Sequence, residues 1–232
     1  MATNAHTLKD EPSQRLHPAK GYRLEPIVDL MTGHVIGHEL LAGNASCPNW
    51  TLEEWRKWYV LLSVQLLAEL LETLEGLFFV NVTSDQLLDD VIWPSLVHES
   101  HPRIVIEWVE QAGQVEGVHK EAARRLHHLR DLGCQIAIDD IGAGEDGLGR
   151  TRIINPQFCK VDGALFQQCR VRGPEYLRGI CHHLSLGGAR VVIEWVESEA
   201  DMRLALSAGA HLGQGYFWTK GMQSDIAEQG ER

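Results

Sequence analysis

Short apolar runs alternate with helix-patterned segments along nearly the whole chain, and the connections between them are brief. That alternation restricts the fold to a parallel α/β sheet or a barrel, because parallel strands need crossover helices and those helices must cover the sheet. Residues 22–30 and 35–41 read as strands joined across Met-Thr-Gly-His, a hairpin with Gly33 at its turn. Further strands are expected at 77–82, 103–107, 134–141, 158–162 and 190–194, with a short last one before Gln214. Thr51 and Glu54 have capping-box spacing and open a helix expected to run to Leu74. Its Trp55, Trp58, Leu61, Leu62, Leu66 and Leu70 form a stripe for packing on the core or on a neighbouring subunit. Thr83-Ser84-Asp85 caps a helix carrying Leu87, Leu88, Val91 and Ile92, and others are expected over 115–132, after Gly144, over 176–186 and up to Ala208.

The length of 232 residues suits one large domain, expected over 21–222, with flexible tails at 1–20 and 223–232. A net charge of -11 argues against a partner that is a nucleic-acid polymer, which calls for a basic stripe. No apolar run reaches the length of a membrane span, and the first residues lack the apolar stretch of a signal peptide, so no membrane association is expected. The five cysteines are scattered and odd in number, with no Cys-x-x-Cys pair, which fits a reducing cytoplasm. The His-His pairs at 127–128 and 182–183 lack zinc-ligand spacing and read as surface residues.

The densest chemistry lies at 134–144, where an apolar strand ends in Asp139 and Asp140 and breaks into glycines. Two adjacent carboxylates at a buried strand end repel each other and resist desolvation, so a cation is expected beside them. Helix capping by one of them is the blander alternative. The same pattern recurs, with Glu39, Asn81, Glu107, Lys160, Glu194 and Gln214 each terminating an apolar strand. Ile-Glu-Trp-Val-Glu occurs twice, at 106–110 and 193–197, as though two strands deliver the same chemistry to one end of a sheet. In a β/α barrel the strand ends converge on one mouth. Hard oxygen ligands without Cys or His select Mg2+ or Mn2+, and a pair of such ions suits displacement at phosphorus.

Taken in order, these motifs resemble the EAL domain family. Glu25-Pro-Ile-Val-Asp-Leu30 is similar to the family's opening Gln-Pro-Ile strand, and Glu39-Leu40-Leu41 to its Glu-Ala-Leu signature. Asn81-Val-Thr, Glu107-Trp-Val-Glu110, Asp139-Asp-Ile-Gly-Ala-Gly144, Lys160-Val-Asp162, Glu194-Trp-Val-Glu197 and Gln214-Gly-Tyr216 follow in the family's sequence. The resemblance implies a TIM-like (β/α)8 barrel whose first strand runs antiparallel to the rest, in keeping with the hairpin at Gly33. It implies hydrolysis of cyclic di-GMP to linear pGpG with two Mg2+ or Mn2+ ions, and inhibition by Ca2+. On this basis Glu39, Asn81, Glu107 and Asp139 hold one metal, and Asp139 and Asp140 share a second. Glu194 and Lys160 act on the water, Glu110 steadies the loop after Asp140, and Gln214, Leu41 and Glu25 contact substrate. A homodimer is a further option that the family allows.

The chain departs from the family pattern at Glu25 for Gln, Gly43 for a phosphate-contacting Arg, Ile141 for Phe, Ala143 for Thr, Trp195 for Gly and Gly221 for Pro. Trp195 is large enough to fill part of the pocket. A second reading therefore stays open, a non-catalytic EAL-like module that binds cyclic di-GMP or a protein partner. A third, an unrelated two-metal phosphodiesterase acting on another nucleotide, follows from the same substitutions.

Overall fold

Gly33 turns the first hairpin with φ 73° while its N–H donates to the Asp29 carbonyl, and the Asp29 carboxylate accepts from the N–H groups of Met31 and Thr32. This turn sets strand β1 (Tyr22–Asp29) antiparallel to β2 (Val35–Ala42), with Glu25 opposite Glu39 and Arg23 opposite Leu41. The computed structural model describes residues 21–43, 50–61, 66–109, 116–143 and 147–219. The expected tails and Glu110 lie outside these residues.

Six further strands follow: β3 (Leu77–Val82), β4 (Ile104–Trp108), β5 (Gln135–Ile141), β6 (Phe158–Val161), β7 (Arg190–Ile193) and β8 (Leu212–Gln214). Strands β2 to β8 pair in parallel, and β8 closes antiparallel onto β1 through Ile27 opposite Gln214. The result is the expected eight-stranded barrel with its first strand reversed. Closure leaves no exposed sheet edge.

The helices are α1 (Leu52–Leu61), α2 (Leu67–Thr73), α3 (Ser84–Leu88), α4 (Ile92–His98), α5 (Glu116–Asp131), α6 (Gly147–Ile154), α7 (Gly163–Arg172), α8 (Pro174–Ser185) and α9 (Glu199–Ser207). Thr51 and Glu54 make the reciprocal capping box at the start of α1. Trp58, Leu66 and Leu70 of the apolar stripe are buried against the barrel, so this face belongs to the protein's own core. The expected helix through Leu87 and Ile92 is split. Asp89 accepts from the N–H groups of Val91 and Ile92, so its carboxylate starts α4 where α3 would have continued. Helix α7 is an element that the apolar periodicity does not announce. Its start is set by Asp162, whose carboxylate accepts from the Leu165 N–H. Among the described residues no helix is long and apolar enough to cross a membrane.

Alternation along each strand divides the apolar residues in two. Ile27, Phe79, Val105, Ala137, Phe158, Val192 and Leu212 fill the barrel interior, with Phe79 and Phe158 edge to face at 5.1 Å. Val80, Ile106, Trp108, Ile138 and Val161 face outward and pack under the helices with Leu126, Phe166 and Leu177. Cys134, Cys159, Cys169 and Cys181 are buried free thiols, and both His-His pairs are exposed. The apolar plug closes the barrel floor and leaves the inward positions one step further along for polar groups.

Candidate active site

Those positions carry a polar side chain from every strand: Glu25 from β1, Glu39 from β2, Asn81 from β3, Glu107 from β4, Asp139 from β5, Lys160 from β6 and Gln214 from β8, with Glu194 one residue past the end of β7. Because side chains alternate across a strand, each except Glu39, which follows Gly37, lies two residues from an interior apolar residue, as Asn81 does from Phe79 and Lys160 from Phe158.

Lys160 is the centre of this layer and is 1% exposed. Its Nζ lies 3.1 Å from Glu39, 3.2 Å from Glu107, 3.3 Å from Asp139 and 3.0 Å from Glu194. An ammonium has three N–H groups, so it cannot hydrogen-bond four carboxylates at once. Glu39 is otherwise the best satisfied, accepting from Asn81 Nδ2 and, at 2.6 Å, from Gln214 Nε2. It titrates below the ordinary carboxylate range. Burial works to raise it, but the Lys160 charge and these hydrogen bonds together outweigh burial. Glu107 is pushed well up, first by burial and then by Glu39, Asp139 and Glu194 against the pull of Lys160. Burial likewise raises Asp139. It carries Asp140, with Asp139 adding to it, to about 6. It carries Glu194, with help from Asp139 and Glu39, to about 8. For Lys160 burial favours the neutral amine, and the four carboxylates reverse this and hold its pKa well above the usual value.

The arrangement fits hard cations. Asn81 Oδ1, both Glu107 oxygens, Asp139 Oδ1 and Gln214 Oε1 are buried acceptors with no hydrogen-bond donor among the described residues, Glu107 and Asp139 meeting Lys160 through its charge. Carboxylate oxygens of Asp139, Asp140 and Glu194 also come within 4.8 Å of one another. Buried acceptors without donors are costly unless a cation meets them, and an all-oxygen set without thiolate or imidazole is that of Mg2+, Mn2+ or Ca2+.

The backbone is strained at the same place. Asp140 has φ 58°, in the left-handed region that residues with a Cβ seldom occupy. Helping to fix it, the buried Arg150 of α6 donates from Nη1 to the Trp108 carbonyl and from Nη2, at 2.9 Å, to the Asp139 carbonyl. Arg150 thus ties the ends of β4 and β5 together. Nothing in the linear spacing pointed to it. Tyr59 donates to the Asn81 carbonyl and holds the end of β3 from α1. It stands in α1 next to Trp58, a member of the stripe that reads as plain packing, and was not itself singled out.

The residues expected to meet substrate lie at the rim or just beneath it. Leu41 shares the inward face of β2 with Glu39 and is half-buried. Glu25 accepts from Arg23 Nε at 3.1 Å and from Gln214 Nε2 at 3.3 Å, so a hydrogen-bonded chain runs Arg23, Glu25, Gln214, Glu39. Its extra negative charge is therefore balanced by Arg23, a residue visible in the sequence on the same strand face two positions earlier. Trp195 does not fill the pocket interior. It is 54% exposed on the rim.

These raised carboxylates make a checkable prediction. A carboxyl group whose pKa is higher folded than unfolded favours folding while protonated, and that contribution is lost as pH rises through its folded pKa. With Asp140 at about 6 and Glu194 at about 8, the thermal midpoint in EDTA is expected to fall between about pH 5 and pH 8. Millimolar Mg2+ should flatten the slope, since a cation favours the ionised forms. A flat profile in EDTA would contradict the description.

The EAL domain family model matches residues 49–220. Among relatives, the cyclic di-GMP phosphodiesterase PdeF of Escherichia coli (strain K12) is 37% identical over 100 residues, which is 42% of this chain and 13% of PdeF. The structure of the YkuI protein of Bacillus subtilis, with an EAL domain and in complex with cyclic di-GMP and calcium, superposes with a TM-score of 0.69 at 22% identity, over 85% of this chain and 54% of that one. A standalone EAL protein from Vibrio cholerae O395, in its cyclic di-GMP bound form, gives a TM-score of 0.69 at 22% identity, over 84% and 89%. At these identities the superpositions speak for the fold. The matched stretch begins after β2, so Glu25 and Glu39 lie outside it, yet the register pairs their strands into the same barrel. With most of its length matched and the barrel closed in this order, the chain belongs to the EAL domain family.

Proposed function

We propose that the chain is a metal-dependent phosphodiesterase that hydrolyses cyclic di-GMP to linear pGpG. The observation that carries this reading is the layer of buried acceptors around Lys160, in which one ammonium faces four carboxylates. Glu39, Asn81, Glu107 and Asp139 would hold one Mg2+ or Mn2+, and Asp139 and Asp140 a second. Glu194, with a carboxylate oxygen within 4.8 Å of those of both aspartates, would stand beside the same ion. When bound, the ions supply Lewis-acid activation of water and offset the phosphodiester charge.

The protein groups do the rest. Glu194, ionised once cations join the layer, would accept the proton of the attacking water as the new P–O bond forms and the ester P–O bond breaks, the departing ribose oxygen taking a proton from solvent. Lys160 holds Glu194 and Glu39 in place. Arg150 and Tyr59 keep the ends of β3, β4 and β5 from shifting. Glu110 in the loop role and dimer formation remain part of the proposal by family membership. So do inhibition by Ca2+ and a cytoplasmic location.

The test is hydrolysis of cyclic di-GMP by purified protein with Mg2+ or Mn2+, beside Glu39→Ala and Glu194→Ala. Linear dinucleotide is expected from the wild type, lost in both variants and suppressed by Ca2+. No product at high enzyme and substrate sinks the enzyme reading, and calorimetry in Ca2+ then separates a silent receptor from a module that binds a protein.

A further inference from the structure

Trp195 is held in place on both sides. The Glu194 N–H donates to the Val161 carbonyl at the end of β6, and the Val196 N–H donates to the Gln214 carbonyl at the end of β8. Between these bonds Trp195 takes φ 53°, a strained conformation for a residue carrying a large side chain. Its indole is seated on the first residue of α7. A methyl group on Gly163 would lie 2.1 Å from two of the indole carbons, so only glycine allows the ring to rest there. More than half of the side chain nonetheless faces solvent. The fold thus holds a large aromatic ring in a strained backbone, packed against a glycine and open outward, directly after Glu194. Core packing does not account for it, since a buried position would serve that purpose better.

The mouth's own side chains are poorly disposed toward an anion, whose charge is left for the proposed ions to meet. Glu25, Glu39, Glu107, Asp139, Asp140 and Glu194 surround it, and Lys160 is already engaged with four carboxylates. A ligand carrying both phosphates and bases therefore gains from a neutral, flat contact beside the reacting phosphodiester. An aromatic face offers this to any nucleobase.

We propose that Trp195 is a stacking platform for a nucleobase of the substrate, fixing the base while the phosphodiester lies over Glu194. This rests on the phosphodiesterase reading above and names a residue that determines affinity within it. Trp195 acts on binding, and Glu194 on chemistry.

The test compares wild type, Trp195→Gly and Trp195→Phe. Calorimetry with cyclic di-GMP in Ca2+ gives Kd, steady-state hydrolysis in Mg2+ separates KM from kcat, and thermal melting reports the fold. Trp195→Gly is expected to weaken binding about 5- to 100-fold, the range for losing one base stack. KM should rise in parallel while kcat changes far less. Glycine suits the positive φ, so the melting temperature should hold or rise as affinity falls, a pairing that general damage would not produce. Trp195→Phe should restore most of the affinity. Wild-type affinity in a folded Trp195→Gly protein overturns the platform and leaves the phosphodiesterase reading standing. So does a loss confined to kcat, or a Phe variant as weak as the Gly variant. A wild type that neither binds nor cleaves cyclic di-GMP overturns both.

Discussion

Replacing Lys160 by methionine is expected to abolish cyclic di-GMP hydrolysis and to destabilise the metal-free protein by about 3–5 kcal/mol, the usual cost of removing one partner from a buried ionic group. The side chain is 1% exposed and touches Glu39, Glu107, Asp139 and Glu194, so its loss leaves four buried carboxylates with no cation among them. They would respond by taking up protons, and the penalty should therefore shrink at low pH. Metal should restore part of the stability and none of the positioning. Denaturant titration in EDTA and in Mg2+, paired with the hydrolysis assay, reads both halves. A variant as stable as wild type in EDTA at pH 8 would mean that Lys160 is not the internal counter-charge described above.

The opposite sign is expected for Glu107→Gln. Glu107 is fully buried, neither oxygen accepts a hydrogen bond, and burial with its neighbours' charge pushes its pKa well up. One ammonium faces an excess of carboxylates here, so removing a negative charge relieves repulsion, whereas removing the positive charge adds to it. The metal-free variant should be more stable than wild type by about 1–3 kcal/mol near pH 8, the scale of an unsatisfied buried polar group. The gap should narrow as pH falls, because burial and its neighbours' charge make Glu107 take up a proton more readily than an ordinary carboxyl group. Hydrolysis should fall by at least about 100-fold, since disturbing even the partners of a metal ligand costs 10- to 100-fold. Melting curves across pH and a metal titration check this, and a variant that is less stable in EDTA would count against it. Stability would here be traded against function at a single position.

The polar layer at the mouth was legible because the strand period of two and the strand-end position are both written in the sequence. Glu107 stands two residues after Val105, and Lys160 two after Phe158, in runs too apolar to be anything but buried. The hairpin at Gly33 was equally plain, since its turn is made by neighbours in sequence. Part of what escaped depends on partners far apart in the chain. Arg150 reads as an ordinary helical arginine until the fold sets it under Trp108 and Asp139. Asp89 divides an expected helix because its carboxylate binds backbone N–H groups and also takes a paired contact from Arg56. Helix α7 buries only a narrow face, at Gly163, Phe166 and Cys169, so its periodicity was too faint beside the strand before it.

The reversed first strand also decides where the polypeptide arrives. In a barrel of wholly parallel strands the chain begins at the floor, a strand's length from the chemistry. Here β1 runs downward from the mouth, and Gly21 sits beside Gly43 at the rim, where the Gly43 N–H meets its carbonyl. Whatever is joined ahead of Gly21 is thereby leashed to the opening itself. Each residue of such a leash reaches at most about 3.5 Å, so a handful suffices to cross the opening. A module carried there would meet the opening at an effective concentration in the millimolar range, set by linker length alone.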